Sequence, residues 1–377
     1  MKEKCCRIRV LSILLLFVIL WQCIPALPVY AEDCPEKASL ESTLQYLQAE
    51  MQSEIQNNSI DEWTVLILAR NGRLCAEDKA AYLKQLTQKL QETNGVLSTR
   101  KYTEYSRVVL TLNAIHVDPA DINGYDLLSP LADFPMVCKQ GINGPAWALI
   151  AIDSMNGTED SFSDSTESDA ITTRERLISY LLEHQLDGGG WSLTDVPDDT
   201  TPMVLQALAP YGDVPAVKPT IDMALEILSS MQDEEGGFGL AGGSESISQA
   251  IIALASLKID CKTDARFIKN GHTMLDALLR YQNADGTFRH RLDGDADLVA
   301  TKQAALALTA YDRSMNEKTR LYDIFYASDS ELDCPEDTPS FSKSPDGILS
   351  LALVAVLLAG GVVLFVVLIS RRKKHTK

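Results

Sequence analysis

The chain is short of positive charge. Its 377 residues hold 34 Lys and Arg against 52 Asp and Glu, with only five His, for a formal balance of −18. A surface this acidic repels nucleic acid and anionic lipid headgroups, so nucleic acid is not an expected partner. Strand alternation of useful length is also missing, which argues against a sheet-built domain. Cysteine is present without the spacing that would give it chemistry. Eight occur, none as Cys-x-x-Cys and none spaced with His as a zinc site requires. A full EF-hand is excluded as well. Asp293, Asp295 and Asp297 begin like one, but the sixth position is Leu298 rather than Gly and the twelfth is Ala304 rather than Glu. No metal site is expected, those three aspartates being the weak candidates for a looser one. The sequence names no cofactor.

What is present begins at the two ends. Residues 1–31 open with Lys2, Lys4, Arg7 and Arg9, continue through an apolar run, and finish on Val29, Tyr30 and Ala31. That is the pattern of a secretory signal peptide. A lipoprotein cut before Cys23 is the rival reading, but Gln22 is too large for the small residue such a cut needs. Residues 347–370 carry no charge, and a basic tail, 371–377, follows at once. The run exceeds the roughly 20 apolar residues that span a bilayer. The basic cluster places the C-terminus in the cytoplasm. The expectation is therefore a secreted ectodomain held in the cell membrane by one C-terminal helix. A degenerate sortase signal is the other reading of this tail.

Without leader and tail, 25 basic and 51 acidic residues remain, a balance of −26. Five cysteines remain too: Cys34, Cys75, Cys138, Cys261 and Cys334. Five is odd, so at least one is left without a partner in the chain. Cys34 and Cys334 flank the globular region, though nothing in the sequence selects that pair.

The middle of the chain repeats one phrase: Gln, an acidic Gly-containing turn, then an aromatic. Gln185 leads to Trp191, Gln232 to Phe238, and Gln282 to Phe288. An Ala/Leu-rich helical stretch follows each copy. Units of this length cannot bury their own cores, so they must stack into an array or close into a ring. Aligning Pro202, Gln249 and Gln303 extends the pattern upstream to Pro145, and more loosely to residues 105–112 and 63–69. Six apolar helices result. More polar helices over 172–186, 220–232 and 271–282 suit an outer layer with one wet face. Residues 158–170 read as an acidic loop and 326–346 as a stalk. The ectodomain thus divides into 32–157, with looser repeats, and 171–325. Within the phrase, Gly is expected to supply the positive φ of a helix C-cap. The Gln amide would bond exposed carbonyls and lock one hairpin to the next, and the aromatic would pack over the turn.

The phrase resembles the QW-type repeat of squalene and terpene cyclases. That repeat architecture is shared with protein prenyltransferase β subunits and with cobalamin carriers similar to transcobalamin and intrinsic factor. The resemblance is good over 172–313 and looser over 41–156. It implies an all-α fold: a single (α/α)6 toroid of helix hairpins, here followed by one transmembrane helix. Activity is not implied, because one fold hosts many functions.

Class II cyclases protonate an alkene with the middle Asp of Asp-x-Asp-Asp-Thr. Asp198-Asp199-Thr200 matches the end of that motif, while Val196 stands where its first Asp belongs. The resemblance would make Asp198 a general acid. Alternatively Asp198, Asp199 or Thr200 caps a helix. Prenyltransferase zinc ligands have no match, since Asp260 adjoins Cys261 and His272 lies close by rather than far along the chain. The cobalamin carriers need a second, β-rich domain, and too few residues follow Arg313 to form one.

Small or acidic residues precede the six helices: Asp61 with Glu62, Ser106, Asn143, Asp199, Glu245 and Asp297. In a toroid these would gather at one end of the cavity. Candidate binding residues are Asp199, Thr200, Trp191, Asp297 and Trp147. The expected function is a surface module that binds a small ligand, hydrophobic or corrinoid, or a protein partner. The alternative is an extracellular lyase, hydrolase or cyclase-like enzyme using Asp198 or Asp199 as general acid.

Overall fold

The computed structural model describes residues 34–155, 170–193, 199–238 and 243–324. The leader, the acidic loop, Asp198, Cys334, the stalk beyond 324, the uncharged run 347–370 and the basic tail lie outside the described residues. Among the described residues twelve α-helices occur in the order α1 (Pro35–Gln56), α2 (Glu62–Arg70), α3 (Ala76–Glu92), α4 (Thr103–Ala114), α5 (Phe134–Val137), α6 (Asn143–Asp153), α7 (Arg174–Glu183), α8 (Thr200–Leu208), α9 (Lys218–Ser230), α10 (Ser244–Ser256), α11 (Met274–Leu279) and α12 (Leu298–Met315). Strands are two residues long. β1 (Ile268–Lys269) pairs with β2 (His272–Thr273), and β3 (Phe288–Arg289) with β4 (Ala296–Asp297), both antiparallel. Among the described residues no helix is long and apolar enough to cross a membrane.

The even-numbered helices form a closed ring. Each packs on the next, from α2 through α4, α6, α8 and α10 to α12, and α12 packs back on α2. The odd-numbered helices lie outside: α1 on α2 and α12, α7 on α6, α9 on α8, and α11 on α10. Inner helices must be buried on nearly every face, and they are. In α10 every residue but Glu245 is buried. Ala146, Ala151, Ala207, Ala250, Ala253, Ala304 and Ala307 are at most 1% exposed, so neighbouring backbones approach closely. Inner hydroxyls bond within their own helices: Ser248 donates to Ser244 O at 2.7 Å and Thr309 to Ala305 O at 2.7 Å. The larger apolar side chains in this wall each contribute about 1.5–3 kcal/mol.

One outer position departs from the pattern. Between α4 and α6 stand only α5 and short 3-10 turns. This segment is pinned to the chain ahead of α7, with Phe134 N donating to Ala170 O and Thr172 N to Ala132 O, both at 2.9 Å.

The repeated phrase is a clasp between consecutive units. Gln185 Nε2 donates to Thr220 O at 2.9 Å, Gln232 Nε2 to Phe267 O at 3.0 Å, and Gln282 Nε2 to Ser39 O at 3.1 Å. The first two reach forward to the start of the next outer helix or the turn before it. The third reaches back to α1 and closes the circle. The expected role of glycine is corrected. Helices α7, α9 and α11 end on His184, Met231 and Arg280, none with positive φ. Positive φ falls later, at Gly189 (92°), Gly236 (82°) and Gly286 (87°). There it brings the turn against the next unit: a Cβ on Gly286 would sit 2.5 Å from Ser42 O.

An ion pair completes the join. Lys302 on α12 meets Glu54 on α1 at 2.9 Å and Asp61 at 3.3 Å, and Lys302 and Glu54 are both buried. Of the cysteines, Cys34, Cys75, Cys138 and Cys261 are unbridged.

Candidate functional site

The inner helices run parallel, so their two ends differ. At the C-terminal end a strap, residues 318–324, crosses the ring. Arg70, the last residue of α2, donates to Thr319 Oγ1 at 3.1 Å and Arg320 O at 3.0 Å. Arg320 Nε donates to Ser256 O, the end of α10, at 2.8 Å. Within the strap Leu321, Tyr322 and Ile324 are buried.

At the N-terminal end several inner side chains are partly exposed. Partly exposed residues cluster in the first two turns: Trp63, Arg107, Trp147, Met203, Glu245 and Gln303. Beyond them α2, α8 and α10 are buried without interruption. Trp63 and Trp147 lie on α2 and α6, which α4 separates, yet their rings meet at 5.5 Å between centroids. That contact passes through the interior of the ring. The opposite half carries amides. Gln206 Nε2 on α8 donates to Gln249 Oε1 on α10 at 2.8 Å, and Gln249 Nε2 to Gln303 Oε1 on α12 at 2.5 Å. Arg107 and Glu62 pair at 3.1 Å between α4 and α2. The mouth is thus aromatic on one side and amide on the other, suited to a ligand with an apolar face and hydrogen-bonding edges.

Asp199 occupies the N-cap position of α8, but its backbone is helical and its side chain makes no cap hydrogen bond. Its Oδ2 instead accepts from Ser246 Oγ on α10 at 2.8 Å. The capping expectation is therefore corrected for Asp199. Thr200, beside it, is buried. Trp147 belongs to the mouth. Trp191 does not: it is fully buried, and its indole N–H donates to Leu181 O at 2.7 Å, because the clasp needs its ring as core. Asp297 caps α12 by accepting from Ala300 N at 2.8 Å. Asp293 and Asp295 are exposed on the loop between β3 and β4. Among the described residues no cluster of three or more metal-ligating side chains forms.

Sequence reasoning passed over Trp63, Gln206, Gln249 and Gln303 as ligands. The signal was there in part, since Gln249 and Gln303 align the repeats. It also missed His290, whose Nδ1 lies 2.8 and 2.9 Å from the two oxygens of Glu245 at the rim. Asp153, where burial raises a carboxylate pKa against hydrogen bonds from Arg174 and Tyr211, ends α6 and so sits at the strap end.

Comparison with known proteins leaves this geometry as the main guide. No family model and no curated protein matches the chain. Among solved structures it is similar to the apo type II terpene cyclase MstE from Scytonema, at 15% identity and a TM-score of 0.49, over 74% of this chain and 98% of that one. It is also similar to a protein from Actinoplanes, at 16% identity and a TM-score of 0.43, over 68% and 90%.

Proposed function

We propose that the chain is a single (α/α)6 toroid of the terpenoid-cyclase type whose N-terminal end binds a small ligand. The reading rests on one observation: two tryptophans from non-adjacent helices meet inside the ring nearer that end. Trp63 and Trp147 supply an apolar platform, and Gln249 and Gln303 supply donors and acceptors for the ligand's edge. Display outside the cell on a C-terminal membrane helix belongs to the same proposal and is supported by the sequence pattern alone. Native mass spectrometry of the detergent-solubilised chain from its own host tests it. A co-purifying small molecule, absent from Trp147→Ala, is expected. An apo mass, with tryptophan emission unmoved by host metabolite extract, would count against it.

One observation favours a second reading, an enzyme with Asp199 as acid. The Asp199 carboxylate is not spent on its own helix amides but hydrogen-bonds Ser246 on the next inner helix. Asp199→Ala separates the two. A turnover present in the unaltered chain and lost in Asp199→Ala with binding retained selects the enzyme; ligand binding with no turnover in the unaltered chain selects the module.

A further inference from the structure

We infer that the strap at the C-terminal end of the ring positions the tryptophans nearer its N-terminal end, with Tyr322 as the positioning residue. This rests on the reading of the mouth as a binding cup. Tyr322 enters the ring from below and its ring edge meets Trp147 at 5.8 Å and 73°. Trp147 in turn touches Trp63. Three aromatic rings thus run in one chain from strap to mouth. Tyr322 belongs to the buried core, but its hydroxyl gains nothing from that packing. Its hydroxyl has no hydrogen-bond partner in the protein, and an unpartnered buried hydroxyl costs about 1–3 kcal/mol. A residue chosen to fill space alone would be Phe or Leu.

The hydroxyl has a local use. Tyr322 and Gln206 both line a partly open pocket of about 20 Å³, with Asp153, Arg320 and Asp323 also on its wall. Gln206 Oε1 is likewise buried without a partner. The pocket exceeds the roughly 10–15 Å³ that one water needs. A water there would accept from Tyr322 and donate to Gln206 Oε1, tying the strap to the amide ladder as well as to the tryptophans. The strap is held firmly enough to act as a support. Arg313 Nε donates to Thr319 O at 2.9 Å, and Arg70 and Arg320 add the bonds to α2 and α10.

The test is optical and needs no ligand, so its failure is distinct from failure of the cup itself. In the full chain carrying Trp21→Phe and Trp63→Phe, acrylamide quenching and emission maximum report on Trp147 above the constant background of buried Trp191. Tyr322→Ala and Tyr322→Leu are expected to raise the quenching constant and shift the emission to the red, with helical circular dichroism retained in the Leu variant. Tyr322→Phe is expected to keep the aromatic contact, leaving quenching near wild type while losing the water. Emission and quenching unchanged in Tyr322→Leu would overturn the proposal. So would equal shifts in Phe and Leu, which would assign the effect to the hydroxyl rather than the ring.

Discussion

The two halves of the ring reach one architecture by different local chemistry. From α7 onward each unit is joined to the next by the same clasp: a Gln amide on a neighbouring carbonyl, a positive-φ Gly against neighbouring backbone, and a buried aromatic. Before α6 the joins are one of a kind. Gln85 bonds both the N–H and the C=O of Ile60, Gln52 bonds Asp78, and Arg107 pairs with Glu62. Helix packing needs only apolar faces and small residues, so either solution closes the wall. The difference teaches that the repeat in the sequence records a joining device, not the ring itself.

Substitutions can break this comparison, beginning where the halves meet. Lys302→Met strands the buried Glu54 carboxylate, and a loss of about 3–5 kcal/mol is expected in urea unfolding. A change below about 1 kcal/mol would show that the ion pair is not the join. Next, two glycines of equal backbone but different surroundings separate clasp from turn. Gly286→Ala adds a Cβ 2.5 Å from Ser42 O at φ 87°, and about 2–5 kcal/mol is expected. Gly124→Ala, at φ 84° in the N-terminal half, meets nothing within 4 Å and should cost only about 1–2 kcal/mol. Equal losses would dismiss the clasp.

The amides give a finer comparison. Gln282→Ala removes the bond to Ser39 O at the closing seam, with about 1–3 kcal/mol expected. Gln85→Ala, whose bonds to Ile60 lie outside the repeated phrase, should lose about 0.5–1.5 kcal/mol. Thermal melts of the pair decide whether the repeated Gln outweighs its unrepeated counterpart. The smallest effect is alkaline. Burial pushes the thiols of Cys75 and Cys138 up to about 11 and that of Cys261 up to about 12, from 9.0. Below about pH 8 the thiols are essentially neutral in both states and contribute no pH dependence. Above it the unfolded chain ionises first, so the stability they support falls as pH climbs toward 11–12. Melting temperatures from pH 8 to 11 should decline, and less so in Cys138→Ala. A variant that declines as the wild type does would discharge Cys138 from that role.

Much of this was legible in residues alone. The aligned positions Pro145, Pro202, Gln249 and Gln303 fall on α6, α8, α10 and α12, and even the looser stretches at 63–69 and 105–112 are inner helices. The amide of the phrase does lock hairpins. What failed to read out was direction. Trp147, inside an apolar helix, and Trp191, ahead of one, both read in sequence as aromatics that could line a pocket. One faces the interior of the ring and the other the core between layers.

The sequence by itself determined that the chain is helical, that its helices alternate between wholly apolar and amphipathic, and that consecutive units must pack together. Periodicity carries this because a helix face is a matter of spacing. Only the tertiary structure decided that the array closes, with Gln282 and Lys302 reaching α1 across some 240 residues of chain. It alone placed Trp63 against Trp147, Asp199 against Ser246, and Tyr322 beneath them all. Contacts between non-adjacent helices depend on the curvature of the whole ring, and no local spacing encodes that.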